Sequence, residues 1–351
     1  MKILAIDLGK FKSVACDCQT GDGEHEFETA VTSPQEFHDL IVRRAPDRLV
    51  IEVCNISGWI RDLAVALNVP IQVANPNHEG WRWKKVKRKT DRDDALKLAK
   101  LSASNDLPTV YVPNLKVRQW RGLISYRHKV IGRRTAIKNN IRALLDTQGL
   151  KLPSGNGAWS SKSLAQLREM ARPIVEVDGA ELWRGHLYLE LEALEQVQSL
   201  IAPLDAKLDQ LASADSRVME LRKLYGIGNR MAEAVVAIID DPRRFRNARQ
   251  VGAYAGLVPL QIESGQMKRQ GKISKRGNHL IRKLLVQITW SLCRRNTHVR
   301  ELFARISRGQ KTRRKQAVIA VARKLWIWCW AVLRDNQGWR GPVAAGAIPI
   351  K

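Results

Sequence analysis

Residues 1–113 alternate short apolar segments with helical ones, and this alternation restricts the fold more than any other feature. Apolar residues at strand spacing predict strands at residues 2–7, 13–18, 24–31, 48–54, 70–74 and 109–112. Helical patterns lie between them, at residues 34–45, 59–67 and 91–101. Ser33 and Pro34 place the start of the first helix, since they supply an N-cap and a proline at the first helical position. The series predicts an α/β domain whose strand order the sequence leaves open.

The rest of the chain is mostly helical in pattern. Residues 115–148 predict one long basic helix, and residues 182–211 predict an acidic, leucine-rich helix that could pair with it as an antiparallel coiled coil. We therefore expect four segments. They are an α/β domain at 1–113, a coiled-coil arm and linker at 114–214, a mostly helical carboxyl-terminal domain at 215–340 and a disordered tail at 341–351.

The charge balance indicates the kind of partner. Sixty Lys and Arg residues against 34 Asp and Glu give the 351-residue chain a formal charge of +26, which predicts binding to a polyanion. Residues 266–334 contain one acid, Glu301, among many Lys and Arg, and this predicts a nucleic-acid surface.

Other classes of protein are disfavoured by the sequence. Apolar runs that are short or interrupted by Lys and Arg predict no membrane span, and the amino terminus lacks a signal-peptide pattern. Five Cys residues without a Cys-x-x-Cys pair argue against disulfides and a zinc site. A cytoplasmic protein is expected.

Four carboxylates are candidate metal ligands. Asp7 ends the first predicted strand and Glu52 lies inside an apolar strand, where a buried carboxylate needs a partner or a metal. Asp91 and Asp94 are three residues apart at the start of a helix and share a face. The four could hold two Mg²⁺ ions for an in-line phosphoryl displacement. Asp7 could instead be a turn residue and Asp91 a helix cap, and Asp93 competes with Asp94.

Two further segments have the pattern of nucleic-acid contacts. Gly226 and Gly228 precede a predicted helix, as in a helix-hairpin-helix whose glycines let backbone amides approach phosphate. A second segment interleaves aromatic and basic residues, which favours stacking with phosphate contact over a solvated basic loop. Its residues are Trp81, Arg82, Trp83, Lys84, Lys85, Lys87 and Arg88.

Three acidic segments resemble a known family: Ile6-Asp7-x-x-Lys10, Glu52 in its strand, and Lys89-Thr90-Asp91-x-x-Asp94-Ala95. They are similar to the three acidic motifs of DEDD-type insertion-sequence transposases. The resemblance implies a ribonuclease-H-like, Holliday-junction-resolvase-like domain, and some members of the family are bridge-RNA-guided recombinases. The usual Glu-Ala-Thr-Gly of the family is here Glu52-Val53-Cys54-Asn55, and the first glycine after it is Gly58.

Residues 220–285 resemble the carboxyl-terminal domain of the same family, with Gly226-Ile227-Gly228, Ala253-Tyr254-Ala255-Gly256-Leu257, Glu263-Ser264-Gly265 and Gly271-Lys272-Ile273-Ser274-Lys275-Arg276-Gly277 in order. The resemblance implies that Ser264 is a nucleophile that forms a phosphoserine bond with DNA. By residue chemistry alone Ser264 would be a loop residue, and Ser274 is its internal competitor. Nearby bases could neutralise charge at the reacting phosphate, namely Lys268, Arg269, Lys272, Lys275 and Arg276.

The expected function is that of a DNA transposase or recombinase. The resemblance implies a guide RNA from the element itself and a homo-oligomer, from dimer to tetramer. Two alternatives remain at this point. One is a metal-dependent junction-resolving nuclease without a serine intermediate, and the other is a non-catalytic RNA- or DNA-binding protein.

Overall fold

The computed structural model describes residues 1–21, 23–76, 90–264 and 267–336, and only the backbone is described for residues 262–264, 267, 268 and 270. Two compact units divide the chain, Met1–Gln119 and Trp120–Lys351. The aromatic and basic segment predicted at residues 81–88 and the tail predicted at 341–351 lie outside the described residues.

The first unit contains a five-stranded mixed sheet. Its strands are β1 (Lys2–Asp7), β2 (Lys12–Gln19), β3 (His25–Val31), β4 (Arg48–Glu52) and β5 (Ile71–Ala74). Their order is β3-β2-β1-β4-β5. The first three strands form an antiparallel meander, whereas β4 and β5 continue from β1 in parallel.

One predicted strand is wrong. Residues 109–112 contribute only an isolated bridge between Thr109 and Ala74, with the Val110 amide donating to the Val73 carbonyl at 2.8 Å. Pro108 and Pro113 bracket the segment, and proline has no N–H to donate to a ladder.

Helices cover both faces of the sheet. The helices α1 (Pro34–Arg44) and α2 (Ser57–Ala66) pack on one face, where Phe37 and Ile60 meet alternate strand residues such as Leu4. A third helix, α3 (Asp91–Ala103), packs on the other face, where Leu98 meets Ala5. Ser33 caps α1 as expected, since its Oγ accepts from the Glu36 amide at 3.3 Å.

The second unit is mostly helical. Its helices are α4 (Leu115–Thr147, which begins before the division between the units), α5 (Ser161–Met170), α6 (Leu182–Ser199), α7 (Ile201–Ser213), α8 (Ser216–Arg222), α9 (Asn229–Ile239), α10 (Ala248–Tyr254), α11 (His279–Arg295), α12 (Thr297–Ser307) and α13 (Arg314–Asp335). Its two strands, β6 (Pro259–Ser264) and β7 (Met267–Ile273), form an antiparallel hairpin that the reading of this region as helical missed.

The basic helix α4 and the pair α6 and α7 run antiparallel. Asn140 donates to Glu190 at 3.2 Å, and the Arg127 guanidinium pairs with Asp205, so the partners advance in opposite directions along the chain. The single helix predicted at 182–211 is divided at Leu200. The reason is Pro203, which has no N–H for the carbonyl four residues earlier.

Helix α13 lies in the core of the second unit. Nε1 of Trp326 donates to the Val251 carbonyl and Nε1 of Trp330 to the Pro242 carbonyl, each at 2.8 Å, while Trp328 is half-buried. Residues 311–335 are long and apolar enough to span a bilayer by length and composition. Arg323 and Lys324 interrupt this apolar run, and its two buried tryptophans mark it as a core helix.

Candidate functional site

Asp7 and Glu52 end two adjacent parallel strands. The last registered pair of β1 and β4 is Ile6 with Ile51, so Asp7 and Glu52 follow side by side at the carboxyl edge of the sheet. Side chains alternate along a strand, and both carboxylates have the parity of Ala5 and Val50. Because those two residues pack against α3, the carboxylates project to the α3 face.

Two hydrogen bonds fix the direction in which α3 crosses that face. The Arg48 guanidinium, at the start of β4, donates to the Ser102 carbonyl at 3.1 Å and to its Oγ at 3.2 Å. The Ser102 hydroxyl donates in turn to Gln72 at the start of β5, at 2.7 Å. The carboxyl end of α3 therefore lies at the amino ends of these strands, and its acidic first turn lies at their carboxyl ends.

The lengths of the two elements agree with this placement. Asp94 precedes Ser102 by eight residues, which is about 12 Å of helix. Glu52 follows Arg48 by four residues, which is about 13 Å of strand. Since Arg48 and Ser102 are bonded, Asp94 and Glu52 advance by nearly equal distances to the same edge of the sheet.

The first turn of α3 separates the roles of its acids. Asp93 forms a capping box with Thr90: its Oδ2 accepts from the Thr90 amide at 3.1 Å and hydroxyl at 2.7 Å, while its own amide donates to Thr90 Oγ1 at 3.3 Å. Asp94 is only 6% exposed and lies on the face that packs on the sheet. Asp91 is exposed at the first helical position. Local geometry therefore favours Asp94 over Asp93 as a candidate ligand, because the Asp93 carboxylate is engaged in the cap.

The carboxylates share an edge without forming a compact cage. Among the described residues, no group of three or more His, Cys, Asp or Glu side chains is gathered to hold a metal ion. Asp7, Glu52 and Asp94 each have an interaction partner in the protein. Asp7, Glu52 and Asp94 thus lie at the same edge of the sheet, and the described residues do not gather them into a metal-binding cluster.

Ser264 ends β6 at the tip of the hairpin in the second unit. Its backbone pairs with Met267 across the turn, and its side chain lies outside the described atoms. The competitor Ser274 follows the hairpin, where its amide donates to the Val258 carbonyl at 2.8 Å. The predicted nucleophile therefore lies at a hairpin tip, and its competitor lies at the base of the same hairpin.

The loop at residues 274–278, which follows the hairpin, is clasped against residues 254–258. A Cβ on Gly256 would lie 2.0 Å from the Arg276 carbonyl oxygen, and one on Gly277 would lie 2.0 Å from that of Tyr254. Both glycines also have positive φ, so a side chain at either position is excluded both by the steric clash and by the backbone conformation.

Arg282 on α11 holds this clasp together. Its Nη1 lies within hydrogen-bond distance of the carbonyl oxygens of Ala255 (3.2 Å), Arg276 (3.3 Å) and Gly277 (3.1 Å). Burial lowers the pKa of this guanidinium. Lys272, Lys275 and Arg276 are exposed around the clasp, as is Arg269 on β7. These four basic residues, which are predicted to contact DNA, are thus held on an ordered support. The side chain of Lys268 lies outside the described atoms.

The glycines of the predicted helix-hairpin-helix join α8 to α9. Gly226 has φ of 84°, and a Cβ there would lie 2.5 Å from Cδ2 of Leu292. Gly228 is the N-cap of α9, and a Cβ on it would meet nothing within 4 Å. The positive φ of Gly226 therefore favours glycine there, whereas Gly228 leaves the amino end of α9 open to approach.

Two family models match the chain. The model described as Transposase, IS116/IS110/IS902 family, matches residues 219–304, and the DEDD transposase model of the IS110 group matches residues 4–148. The first contains the hairpin and clasp, and the second contains all four carboxylates. The chain belongs to the IS110 family of DEDD transposases.

Relatives of the transposase extend over nearly its whole length. It is 29% identical to a probable family 20 transposase of Pseudomonas aeruginosa over 87% of this chain and 89% of that protein. It is 26% identical to the transposase for insertion sequence element IS1111A of Coxiella burnetii, over 97% of this chain and 92% of the relative. A pilin gene-inverting protein of Moraxella lacunata matches at 29% over 39% of this chain and 44% of its own length.

Membership of the family establishes the coarse function. The transposase is an enzyme that acts on DNA, and its family implies the use of a divalent metal, typically Mg²⁺. The resemblance to DEDD-type insertion-sequence transposases is thereby confirmed at the level of the family.

Sequence reasoning missed a buried charge network in the second unit. Glu233 on α9 is 1% exposed, and Arg230 Nη1 donates to its two oxygens at 3.0 and 3.2 Å. Burial raises the pKa of Glu233 to about 7 in spite of this partner. Arg230 also pairs with Asp205 and Asp209 on α7. An acid within the apolar run of residues 231–239 was the signal that could have found it.

Proposed function

We propose that the transposase holds its divalent metal on Asp7, Glu52 and Asp94, with Asp91 at the rim. The observation that carries this proposal is the arrival of three carboxylates at one edge of the sheet, on the face covered by α3. Carboxylate oxygens are the ligands that Mg²⁺ prefers. The strand order supports a ribonuclease-H-like assignment for this unit, since β1 and β4 are central neighbours.

A bound Mg²⁺ would neutralise charge on the phosphate that is being displaced. The protein residues position the carboxylates for it. Arg48 and Ser102 set the register of α3, and the Thr90 and Asp93 cap fixes its first turn.

For the second unit we propose that Ser264 is the nucleophile. Its Oγ attacks a DNA phosphorus, so that an Oγ–P bond forms while a P–O bond of the DNA backbone breaks. The serine proton passes to solvent, and the departing oxygen takes up a proton to become a free hydroxyl. Because the phosphodiester energy is kept in the phosphoserine, the reverse step can rejoin a new strand. The family match over this hairpin and the exposed bases of the clasp support the proposal.

Strand cleavage by three serine variants tests the nucleophile. The substrate is supercoiled DNA carrying the ends of the insertion sequence, supplied with RNA transcribed from its flanks. Ser264→Ala should abolish cleavage and the covalent protein–DNA adduct seen on a denaturing gel, and Ser264→Cys should retain a trace of adduct. Ser274→Ala is the matched control and should still form the adduct. Undiminished cleavage by Ser264→Ala would instead establish the junction-resolving nuclease.

Carboxylate variants separate an enzyme from a non-catalytic binding protein. Asp7→Asn and Glu52→Gln keep the shape of each side chain and remove its charge, so both should lose cleavage and Mg²⁺ binding measured by calorimetry. Unchanged Mg²⁺ binding in both variants would remove the metal site proposed here.

The guide and the assembly are the remaining parts of the proposal. We infer that a noncoding RNA from the element directs the enzyme and that two to four copies act together in the cytoplasm. The support is the family resemblance together with the charge of +26. Cleavage should disappear after ribonuclease treatment, and light scattering of the RNA complex should give the mass of a dimer or tetramer. Cleavage that survives complete removal of RNA would exclude the guide.

A further inference from the structure

The turn between β1 and β2 presents an aromatic side chain to solvent. Phe11 is 73% exposed, and among the large apolar side chains exposed in the described part of the chain only Val175 is more so. A phenylalanine is usually buried, because its apolar surface is costly to hydrate. A single exposed aromatic needs no explanation by itself. Phe11, however, is held by a rigid turn and is flanked by two exposed lysines.

The backbone of this turn is fixed on both sides of Phe11. The Gly9 amide donates to Ser13 Oγ at 3.2 Å, and the Thr32 hydroxyl donates to the Gly9 carbonyl at 3.0 Å. The Thr32 amide donates to the Phe11 carbonyl at 2.9 Å. A Cβ on Gly9 would lie 2.0 Å from the Lys12 carbonyl oxygen, so the chain passes too closely for any other residue. Phe11 is thus exposed on a rigid support, which lowers the entropy lost when it binds.

The position of the turn relates it to the carboxylate edge. Phe11 follows Asp7 by four residues at the carboxyl end of β1, which limits their separation to about 14 Å. The backbone of Phe11 therefore lies at the same edge of the sheet as Asp7, where the proposed metal site would hold a nucleic-acid strand. The present inference rests on that proposed function.

The charges next to Phe11 indicate its ligand. Lys10 and Lys12 flank it and are exposed, and Nζ of Lys10 lies 5.0 Å from the centroid of the ring. An exposed ring flanked in sequence by two exposed lysines matches an unpaired nucleobase with its adjacent phosphates. An acidic protein partner would be held by the lysines without needing the ring.

We propose that Phe11 stacks on an unpaired nucleobase of the strand held at the carboxylate edge, while Lys10 and Lys12 contact the adjacent phosphates. The base belongs to single-stranded DNA or to RNA, and the chemistry of stacking is the same for both. Phe11 is a positioning residue in this scheme, since it would fix the strand without touching the reacting phosphate.

Binding of fluorescent oligonucleotides by the full-length protein tests the proposal. The probes are single-stranded DNA and RNA of one sequence with 2-aminopurine, in EDTA so that no cleavage occurs. Phe11→Ala should weaken binding to at least one probe by about 5- to 100-fold, since an aromatic stack contributes to that extent. Phe11→Trp should restore the affinity and the quenching of 2-aminopurine. Val42→Ala removes an exposed apolar side chain on α1 and should bind as the wild type does.

An abasic position supplies the second readout. Removing the base that Phe11 covers should weaken the wild type and leave Phe11→Ala unaffected, which a merely structural role of the turn would not produce. Loss confined to the RNA probe assigns the base to a guide, and loss confined to the DNA probe assigns it to the substrate.

Two results would overturn the inference. Equal affinity of Phe11→Ala and wild type for both probes excludes stacking, and if Asp7→Asn has meanwhile lost cleavage, the proposed metal site stands without it. Equal weakening in Phe11→Ala and Phe11→Trp, at unchanged melting temperature, also excludes a stack. If Asp7→Asn still cleaves, the failure lies in the proposed function itself.

Discussion

Arg48 and Ser102 determine which end of the sheet receives the acids of α3. The Arg48 guanidinium bonds both the carbonyl and the hydroxyl of Ser102, a residue with no exposed surface. Neither residue is near the carboxylates, yet the direction of α3 follows from their contact. Positioning of the proposed metal ligands is therefore a property of the far end of the helix.

Replacing Arg48 by Met should misplace this helix. Buried Ser102 would lose its donor, which costs about 1 to 3 kcal/mol. We expect the free energy of unfolding, measured by urea titration, to fall by that amount. Mg²⁺-dependent cleavage should fall as well. Arg43→Met removes an exposed arginine of the same unit and is the matched control. Unaltered stability in Arg48→Met would contradict the role given to this contact.

Asp93 and Asp94 should separate stability from metal binding. Asp93→Ala removes the capping box, so it should destabilise the protein by about 0.5 to 2 kcal/mol while Mg²⁺ binding persists. Asp94→Asn should have the opposite profile, with metal affinity and cleavage lost at nearly unchanged melting temperature. Calorimetric Mg²⁺ titration and thermal unfolding of the two variants decide between them, and reversed profiles would make Asp93 the ligand.

Glu233 should make stability fall as the pH rises from about 4.5 to about 7. Its pKa in the folded protein is raised from the ordinary 4.5 to about 7, so the native state holds a proton that the unfolded chain has already released. The loss of stability across this window is on the order of 3 kcal/mol and is complete above it.

Urea unfolding between pH 4 and 8 measures this dependence. The free energy of unfolding of the wild type, relative to that of Glu233→Gln, should fall by that amount as the pH rises, because the amide does not titrate. Glu195→Gln alters an exposed glutamate and should follow the wild type at every pH. Parallel curves for wild type and Glu233→Gln would contradict the raised pKa.

Arg282 should govern the order of the basic clasp. Arg282→Met removes the donor shared by three carbonyls, so amide exchange at Ser274 and Lys275 should accelerate roughly tenfold, together with weaker DNA binding. A single nitrogen serves all three carbonyls, and Arg282→Lys should therefore restore protection. Arg295→Met removes an exposed charge on the same helix and tests for a pure charge effect. If Arg295→Met weakens DNA binding as much as Arg282→Met does, without faster amide exchange in the loop, Arg282 has no positioning role.

Local patterns predicted the strands, the helix starts and the family, because they depend on residues close in sequence. Ser33 and Pro34 placed α1, and the acidic segments identified the chain as a DEDD transposase. The hairpin of β6 and β7 was missed, since β6 offers only Leu260 and Ile262 at strand spacing and β7 is polar and basic. The roles of Ser264 and of the metal ligands remain predictions.

The sequence by itself supplied the four candidate acids, the basic half of the chain and a strand-helix alternation that leads to an α/β unit. Only the tertiary structure decided that Asp7, Glu52 and Asp94 lie at the same edge of the sheet, that Asp93 is part of a cap, and that Glu233 is buried with a raised pKa. The physical reason is the sequence separation of the residues that make contact. Spacing along the chain specifies which residues share a face, whereas strand order, helix direction and desolvation arise from contacts such as Arg48 with Ser102, which are 54 residues apart.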